Sequence, residues 1–425
     1  MEFIMNNYES FYEQLMEYAN NMHIIDTHEH LNPHKNYIGD EPDVIRDYFS
    51  HYITSDLQSA GMSTLEIDKI YDTGAGLIER FSLLEPWLDQ VKNTSYFRSL
   101  EISAEKIHDV NEISRNTIEE LNERFKKVAS KDDYGRYIMK DLCNIEVSIN
   151  DNWADDMRAS TTELFVPAWQ PVAFLNYNDN EAVANMRDPQ LEIEKMTLKE
   201  YCEYYRQYFL KQKSDGAKAL KFPVAYWRSL YFEDVCYDEA VKIFDKTKKT
   251  SDFFPKKLQD YIMHFILQTA MDNEMAVQIH TGIQEGMGHN LEDSNPMLLG
   301  NLFKKYPKLV FDLFHTGYPY ERELTVLVKY HANVYVDFCW SHLISPFAAK
   351  NAFYEMLDVI PYTKIFGFGG DYVFFDGVVG HLTLAKQNVC TVLSQKVTNK
   401  ECGIELAKNV LQAVFYDNAK RVFNL

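Results

Sequence analysis

Two histidines one residue apart, His28 and His30, close an apolar run from His23 to Leu31 (His-Ile-Ile-Asp-Thr-His-Glu-His-Leu). On a β-strand, side chains repeat with period two, so Asp26, His28 and His30 share one face while Ile25, Thr27 and Glu29 take the other. Two neighbouring imidazoles can grip one metal ion, because neutral imidazole is a ligand that zinc, iron and copper all accept. A lone His-x-His could equally be two partly exposed strand-end histidines. Three later strand-like runs add weight: they end in His280-Thr281-Gly282, His315-Thr316-Gly317 and Gly369-Gly370-Asp371. The small residues after His280 and His315 let the chain turn sharply there.

A hydrolytic metal site needs three or four fixed ligands and an open position for water. The ion lowers the pKa of that water, and a nearby carboxylate takes its proton as the water attacks. His28, His30 and Asp371 are the expected core ligands, with His280 a further ligand. Asp371 can be ligand and base at once. His315 is either a ligand or a donor that polarises the substrate, and Asp26 orients the imidazoles. Lys221 could carry a metal-bridging carbamate, hold a substrate carboxylate as a cation, or be a solvated lysine. Arg228, beside Tyr226 and Trp227, either clamps an anionic substrate group or pairs on the surface. The remaining histidines, His51 and His108 among them, are expected to be structural or solvent-facing.

The elements that must position these residues follow from the pattern of the chain. Met1 to Asn20 reads as a helix and His23 to His30 as the first strand. Asn32 to Lys140 shows helical runs and capping signals, at Ser63-Thr64-Leu65-Glu66 and Ser103-Ala104-Glu105, but no convincing strand. Gly74-Ala75-Gly76 should break helices there. Strand-like runs return at Cys143 to Ile149, Leu164 to Ala168, Ala217 to Pro223, Met275 to His280, Leu309 to His315, Asn333 to Asp337 and Lys364 to Asp371. Helical patterns lie among them at Leu191 to Gln212, Tyr237 to Lys248, Lys257 to Asn273, Asn295 to Tyr306, Tyr320 to Tyr330 and Ala348 to Leu357, and a helical tail runs to Leu425. The expected fold is an α/β (β/α)₈ TIM-like barrel. It forms one domain over residues 1–425, with a mostly helical insertion at about 32–140 after the first strand. No Gly-rich turn follows that strand, which argues against a doubly wound nucleotide-binding sheet.

The 425 residues carry a formal net charge of −20, which argues against a nucleic-acid or anionic-membrane surface. Six scattered cysteines include no C-x-x-C pair, so a zinc ribbon or redox dithiol is not expected. The acidic, amphipathic start lacks the layout of a signal peptide, and no apolar run is long enough to span a bilayer. A cytoplasmic protein with a small-molecule substrate is the expectation. The aromatic stretch from Tyr201 to Phe209 would make either a core helix or a contact within a homo-oligomer.

Taken in order, Asp26-Thr27-His28-Glu29-His30, His280, His315 and Gly370-Asp371 resemble the amidohydrolase superfamily, in its amidohydrolase-related branch of metal-dependent hydrolases. Ala219-Leu220-Lys221, Ala225-Tyr226-Trp227-Arg228, Tyr318-Pro319 and Tyr416-Asp417-Asn418-Ala419 look similar too. The long helical stretch after the first strand resembles that of uronate isomerases. The resemblance implies a distorted barrel with one or two divalent metals, zinc first, with manganese or iron(II) as alternatives. It implies His28 and His30 as paired ligands, His280 and His315 as the later histidines, and Asp371 as the final carboxylate. The expected activity is hydrolysis: metal-bound hydroxide attacks an amide, ester or lactone carbonyl of a small substrate that bears a carboxylate near Lys221 and Arg228. Sugar-acid isomerisation and non-oxidative decarboxylation are the enzyme alternatives, and a metal-free ligand-binding protein is the alternative of another class.

Overall fold

The computed structural model describes residues 2–151, 153–154, 156–175, 192–249 and 253–425. Its apolar runs form eight strands: β1 (Ile24–Glu29), β2 (Ile145–Asn150), β3 (Phe165–Trp169), β4 (Ala219–Phe222), β5 (Ala276–Ile279), β6 (Phe311–Leu313), β7 (Val334–Asp337) and β8 (Ile365–Phe366). They lie in one sheet in chain order, β1 to β8, the order of a (β/α)₈ barrel. The pairings from β3 through β7 are parallel. In β4 to β6 the register sets Lys221 opposite Gln278 and Gln278 opposite Asp312, so three polar side chains share one face. The other face carries Leu220 and Phe222, Val277 and Ile279, and Phe311 and Leu313, all buried.

The chain folds as two compact units. The first comprises Met1–Ser148, Gln284–His289 and Phe338–Ala419, and the second Ile149–Ile283, Asn290–Asp337 and Lys420–Leu425. Between β1 and β2 the first unit is helical, with its longest segments at Leu77–Val91, Ser95–His108 and Ile118–Ala129. Ser63 and Glu66 form the expected capping box, and Gly76 caps the start of the Leu77–Val91 helix. Ser103 does not begin a helix. It lies inside Ser95–His108, which Thr94 caps instead, and its buried hydroxyl donates to the Asp376 carbonyl at 2.6 Å. Asp376 itself collects the helical region: its buried carboxylate accepts from Tyr48 Oη at 2.7 Å, from His108 Nε2 at 2.6 Å and from Tyr134 Oη. His108 is therefore structural, as expected.

Several elements are shorter than their sequence patterns, β4 and β6 among them. β8 stops at Phe366, because the glycine-rich stretch after it bonds elsewhere: Gly367 N–H donates to Val414 O and Gly369 O accepts from Trp340 N–H. The helix expected from Asn295 to Tyr306 begins as a 3₁₀ turn, Pro296–Leu299, and becomes α-helical only over Gly300–Lys305. In the second unit the tyrosine-rich helix spans Leu198–Ser214, behind a Thr197–Glu200 capping box. Leu191, its expected start, lies outside the described residues. Tyr201, Tyr205 and Phe209 of that helix are buried, with Tyr205 stacked on Trp169 at 5.9 Å. This face is a core face of the protomer.

Candidate metal centre

In the first unit, β1 delivers its polar face as a cluster. His28 Nε2 and His30 Nε2 lie 3.3 Å apart. Asp371 Oδ1 is 3.5 Å from His28 Nε2 and 3.3 Å from His30 Nε2. Two imidazoles and a carboxylate thus converge three lone-pair atoms on one point. Bonds of about 2.0–2.1 Å to a tetrahedral ion would set such ligand atoms about 3.3–3.4 Å apart, so the trio fits a divalent cation. The mixed nitrogen and oxygen donor set suits zinc, manganese or iron(II).

The backbone holds this geometry at some cost. Asp371 sits at φ 56°, in the left-handed region that non-glycine residues seldom occupy. Its N–H donates to His28 O at 2.8 Å, which ties the turn after β8 to the end of β1. Asp26 accepts from His28 N at 3.1 Å and Gly370 N at 3.0 Å, so it orients the ligands through their backbone. Glu29 departs from the expected alternation. Its carboxyl is fully buried, accepts from Tyr372 N at 2.7 Å and shares a hydrogen bond with Asp26. Burial raises both acids, Asp26 to about 7 and Glu29 well above the usual range, and the charge of Asp26 raises Glu29 further. One proton held by Glu29 and offered to Asp26 satisfies the pair. A Cβ on Gly370 would collide with Glu29 Oε1, which explains the glycine before the ligand.

His51 was expected to be structural or solvent-facing, yet its side chain lies buried beside this cluster. Its Nε2 is 3.6 Å from Glu285 Oε2, and its ring is 5.1 Å from Trp340. Burial lowers its pKa, while the charges of Glu285 and Asp371 oppose that and His30 adds to it. Tyr52, Tyr96, Trp340 and Tyr372 form an aromatic wall around it, with Trp340 Nε1 donating to Tyr96 Oη at 3.2 Å. His51 and Trp340 also have positive φ, 63° and 60°. Strained residues gathered at one place point to function rather than packing. His51 follows a short helix, where no strand-end pattern marks it.

The second unit holds a different group. His280 Nε2 is 2.8 Å from the Ile283 carbonyl, which can only accept, so this nitrogen carries the proton. His280 Nδ1 then faces His315 Nε2 at 3.1 Å as an acceptor. His315 and Thr316 have φ of 62° and 50° and Gly317 66°, so the chain turns sharply after β6 as the small residues suggested. Beside them Lys221 is 2% exposed, with Nζ 4.8 Å from the centre of the Phe314 ring. Asp312 accepts from Gln278 at 3.1 Å. Its pKa is raised well above the usual range, first by burial and then by Asp337, while Lys221 and the Gln278 bond oppose the rise.

Arg228 is paired within the second unit. Its guanidinium donates to Asp260 at 2.6 Å, Gln259 Oε1 at 3.2 Å and the carbonyls of Ser229 and Tyr231 at 3.0 and 2.9 Å. The Asp260 carboxylate is fully buried, and this ion pair, with Lys256 at 2.8 Å, compensates its charge. Arg228 thus pairs inside the second unit, the alternative to clamping a substrate anion.

Comparison with known proteins bears on this arrangement. The Amidohydrolase family model matches residues 255–425, the part that holds His280, His315 and Asp371. Protein fluG of Emericella nidulans is 28% identical over 150 residues, which cover 35% of this chain and 17% of that protein. Uronate isomerase from Thermotoga maritima superposes with a TM-score of 0.78 at 16% identity, covering 97% of each chain. Glucuronate isomerase from Caulobacter crescentus gives 0.78 at 16% identity, over 98% of this chain and 94% of that one. At such identities the structural likeness is one of fold. The matched family and the shared fold agree with the resemblance of the sequence to the amidohydrolase superfamily and, within it, to uronate isomerases.

Proposed function

We propose that this protein is a metal-dependent enzyme that hydrolyses a small amide, ester or lactone, with His28, His30 and Asp371 holding one divalent ion. The observation that carries the proposal is the mutual approach of their three ligand atoms at 3.3–3.5 Å. Three protein ligands leave a position open, which is the pattern of a catalytic site rather than a structural one. The ion would polarise a bound carbonyl and lower the pKa of a bound water. Asp371, the carboxylate of the trio, accepts the proton released as water adds to the carbonyl. His51, whose pKa burial lowers, relays that proton to the leaving group. The aromatic wall of Trp340 and Tyr372 excludes bulk water from this side.

A second reading is sugar-acid isomerisation, which draws on the fold shared with the two uronate isomerases. There Asp371 and His51 would move a proton between adjacent carbons, and no water would be consumed. Elemental analysis of the purified protein tests what both readings share. About one equivalent of metal, lost in His28→Ala, is the expected result, and no metal in either protein would end both readings. Turnover in ¹⁸O-water then separates them. One labelled oxygen at the cleaved carbonyl supports hydrolysis, and an unlabelled isomer of the substrate supports the second reading.

A further inference from the structure

The first unit contains a cavity of about 370 Å³, lined by two lysines, Lys386 and Lys106. Apolar wall is supplied by Met16, Leu142 and Leu382, and the Cys143 thiol lies among them. Cys143 stands just before β2, and the neighbouring Asn144 carbonyl accepts from Ile24 N at the start of β1. The cavity therefore lies by the beginning of β1, whereas His28 and His30 lie at its end.

Lys386 is the anomaly. It is 6% exposed. Among the described residues, no carboxylate or other acceptor pairs with its ammonium. Burial lowers its pKa, and the charge of Lys106 lowers it further. Cys143 offers no compensating thiolate, because burial pushes its pKa up to about 12. The contrast lies on the same helix, Phe375–Thr398. Lys396 is 5% exposed there but donates to Asp358 at 2.6 Å and Glu401 at 2.9 Å. A largely desolvated cation with no carboxylate partner is costly, and a second cation lining the same cavity adds repulsion. An anion between the two would remove both costs.

We propose that this cavity binds a small organic anion, a carboxylate with a short apolar chain, whose head pairs with Lys386 and Lys106 and whose chain lies against Met16, Leu142 and Leu382. The volume suits a ligand of this size. The site is separate from the metal centre and does not depend on the reaction proposed above.

Calorimetric titration of the metal-loaded protein with hexanoate tests this, with hexan-1-ol and inorganic phosphate as comparison probes. Saturable one-to-one binding of hexanoate is expected, at least tenfold tighter than either comparison probe. Lys386→Met should weaken it at least tenfold and Lys386→Arg should retain it. Lys386→Met should fold and, without ligand, melt no lower than wild type, since it removes a largely desolvated charge that has no carboxylate partner. His28→Ala should bind hexanoate as wild type does. Absence of hexanoate binding, equal binding by Lys386→Met, equal binding of hexan-1-ol, or phosphate binding as tight as hexanoate would each overturn the proposal. So would loss of hexanoate binding in His28→Ala with retention in Lys386→Met, which would move the ligand to the metal centre.

Discussion

The two histidine pairs look alike in sequence, each near a strand end, yet the structure uses them differently. His28 and His30 turn both Nε2 atoms toward a carboxylate oxygen, so their lone pairs meet at one point. His280 and His315 form a directed chain instead: Ile283 O fixes the proton on His280 Nε2, and His280 Nδ1 accepts from His315. The first arrangement is relieved by a cation. The second places a hydrogen bond between its two rings. A histidine's neighbours, not its place at a strand end, decide which of the two it becomes.

The sharpest way to break this contrast is metal content. His28→Ala, His30→Ala and Asp371→Asn should each reduce bound metal to near zero, because each removes one of three ligands. His280→Ala should retain most of it, measured by elemental analysis after dialysis. Equal loss in His280→Ala would favour the sequence expectation that His280 is a further ligand, and the chain to Ile283 would then be a metal-free arrangement only.

Ion pairing separates the regions next. Arg228→Ala should destabilise the second unit by about 3 kcal/mol, since it strips Asp260 of its buried partner. Lys256, 2.8 Å from the same carboxylate, softens that loss. Turnover per folded molecule should be unchanged, and metal content likewise. A lowered kcat/KM with unaltered urea midpoint would return Arg228 to the substrate.

Acid should weaken the first unit. His342 is fully buried, its Nε2 donates to Gly367 O at 3.0 Å, and burial lowers its pKa to about 4. His381 is lowered to about 3 by burial, with His342 adding to the effect. Between pH 6.5 and these values the unfolded chain binds more protons than the folded one, so stability falls as pH falls through that window. From pH 7.5 to pH 5, His342 alone should cost about 2 kcal/mol, read as a drop in urea midpoint. His342→Asn should flatten the profile.

How much of this was legible beforehand follows from what each signal depends on. His28, His30 and Asp371 were readable because strand period and strand ends are local properties. The barrel order was readable because each apolar run is bounded by turns and helices. His51 was not, because only the folded chain brings the end of a short helix against Trp340 and Tyr372. The pairing of Arg228 was hidden for the same reason: its partner Asp260 lies 32 residues away, on a helix whose sequence gives no sign of it. Ser103 looked like a cap because its neighbours match one, but a buried carbonyl of a distant helix claims its hydroxyl.

The smallest predicted effect probes what lies beneath the ligands. Glu29 holds its proton because burial and Asp26 both disfavour its charge, and it places one oxygen to accept from Tyr372 N. Glutamine reproduces both bonds: its amide N–H₂ donates to Asp26 and its carbonyl accepts from Tyr372. Glu29→Gln should therefore change stability by less than about 1 kcal/mol and leave metal content intact. Glu29→Ala should cost about 2–3 kcal/mol, since it leaves Asp26 and the Tyr372 N–H short of a partner and opens space beside Gly370. The second unit supplies the matched case, where Asp312 is raised by burial and by Asp337 but has Lys221 against it. If Glu29→Gln proved as damaging as Glu29→Ala, the carboxyl would be ionised in the working protein. The ion at His28 and His30 would then have drawn the proton from beneath it, and Glu29 would count among the groups that hold the metal.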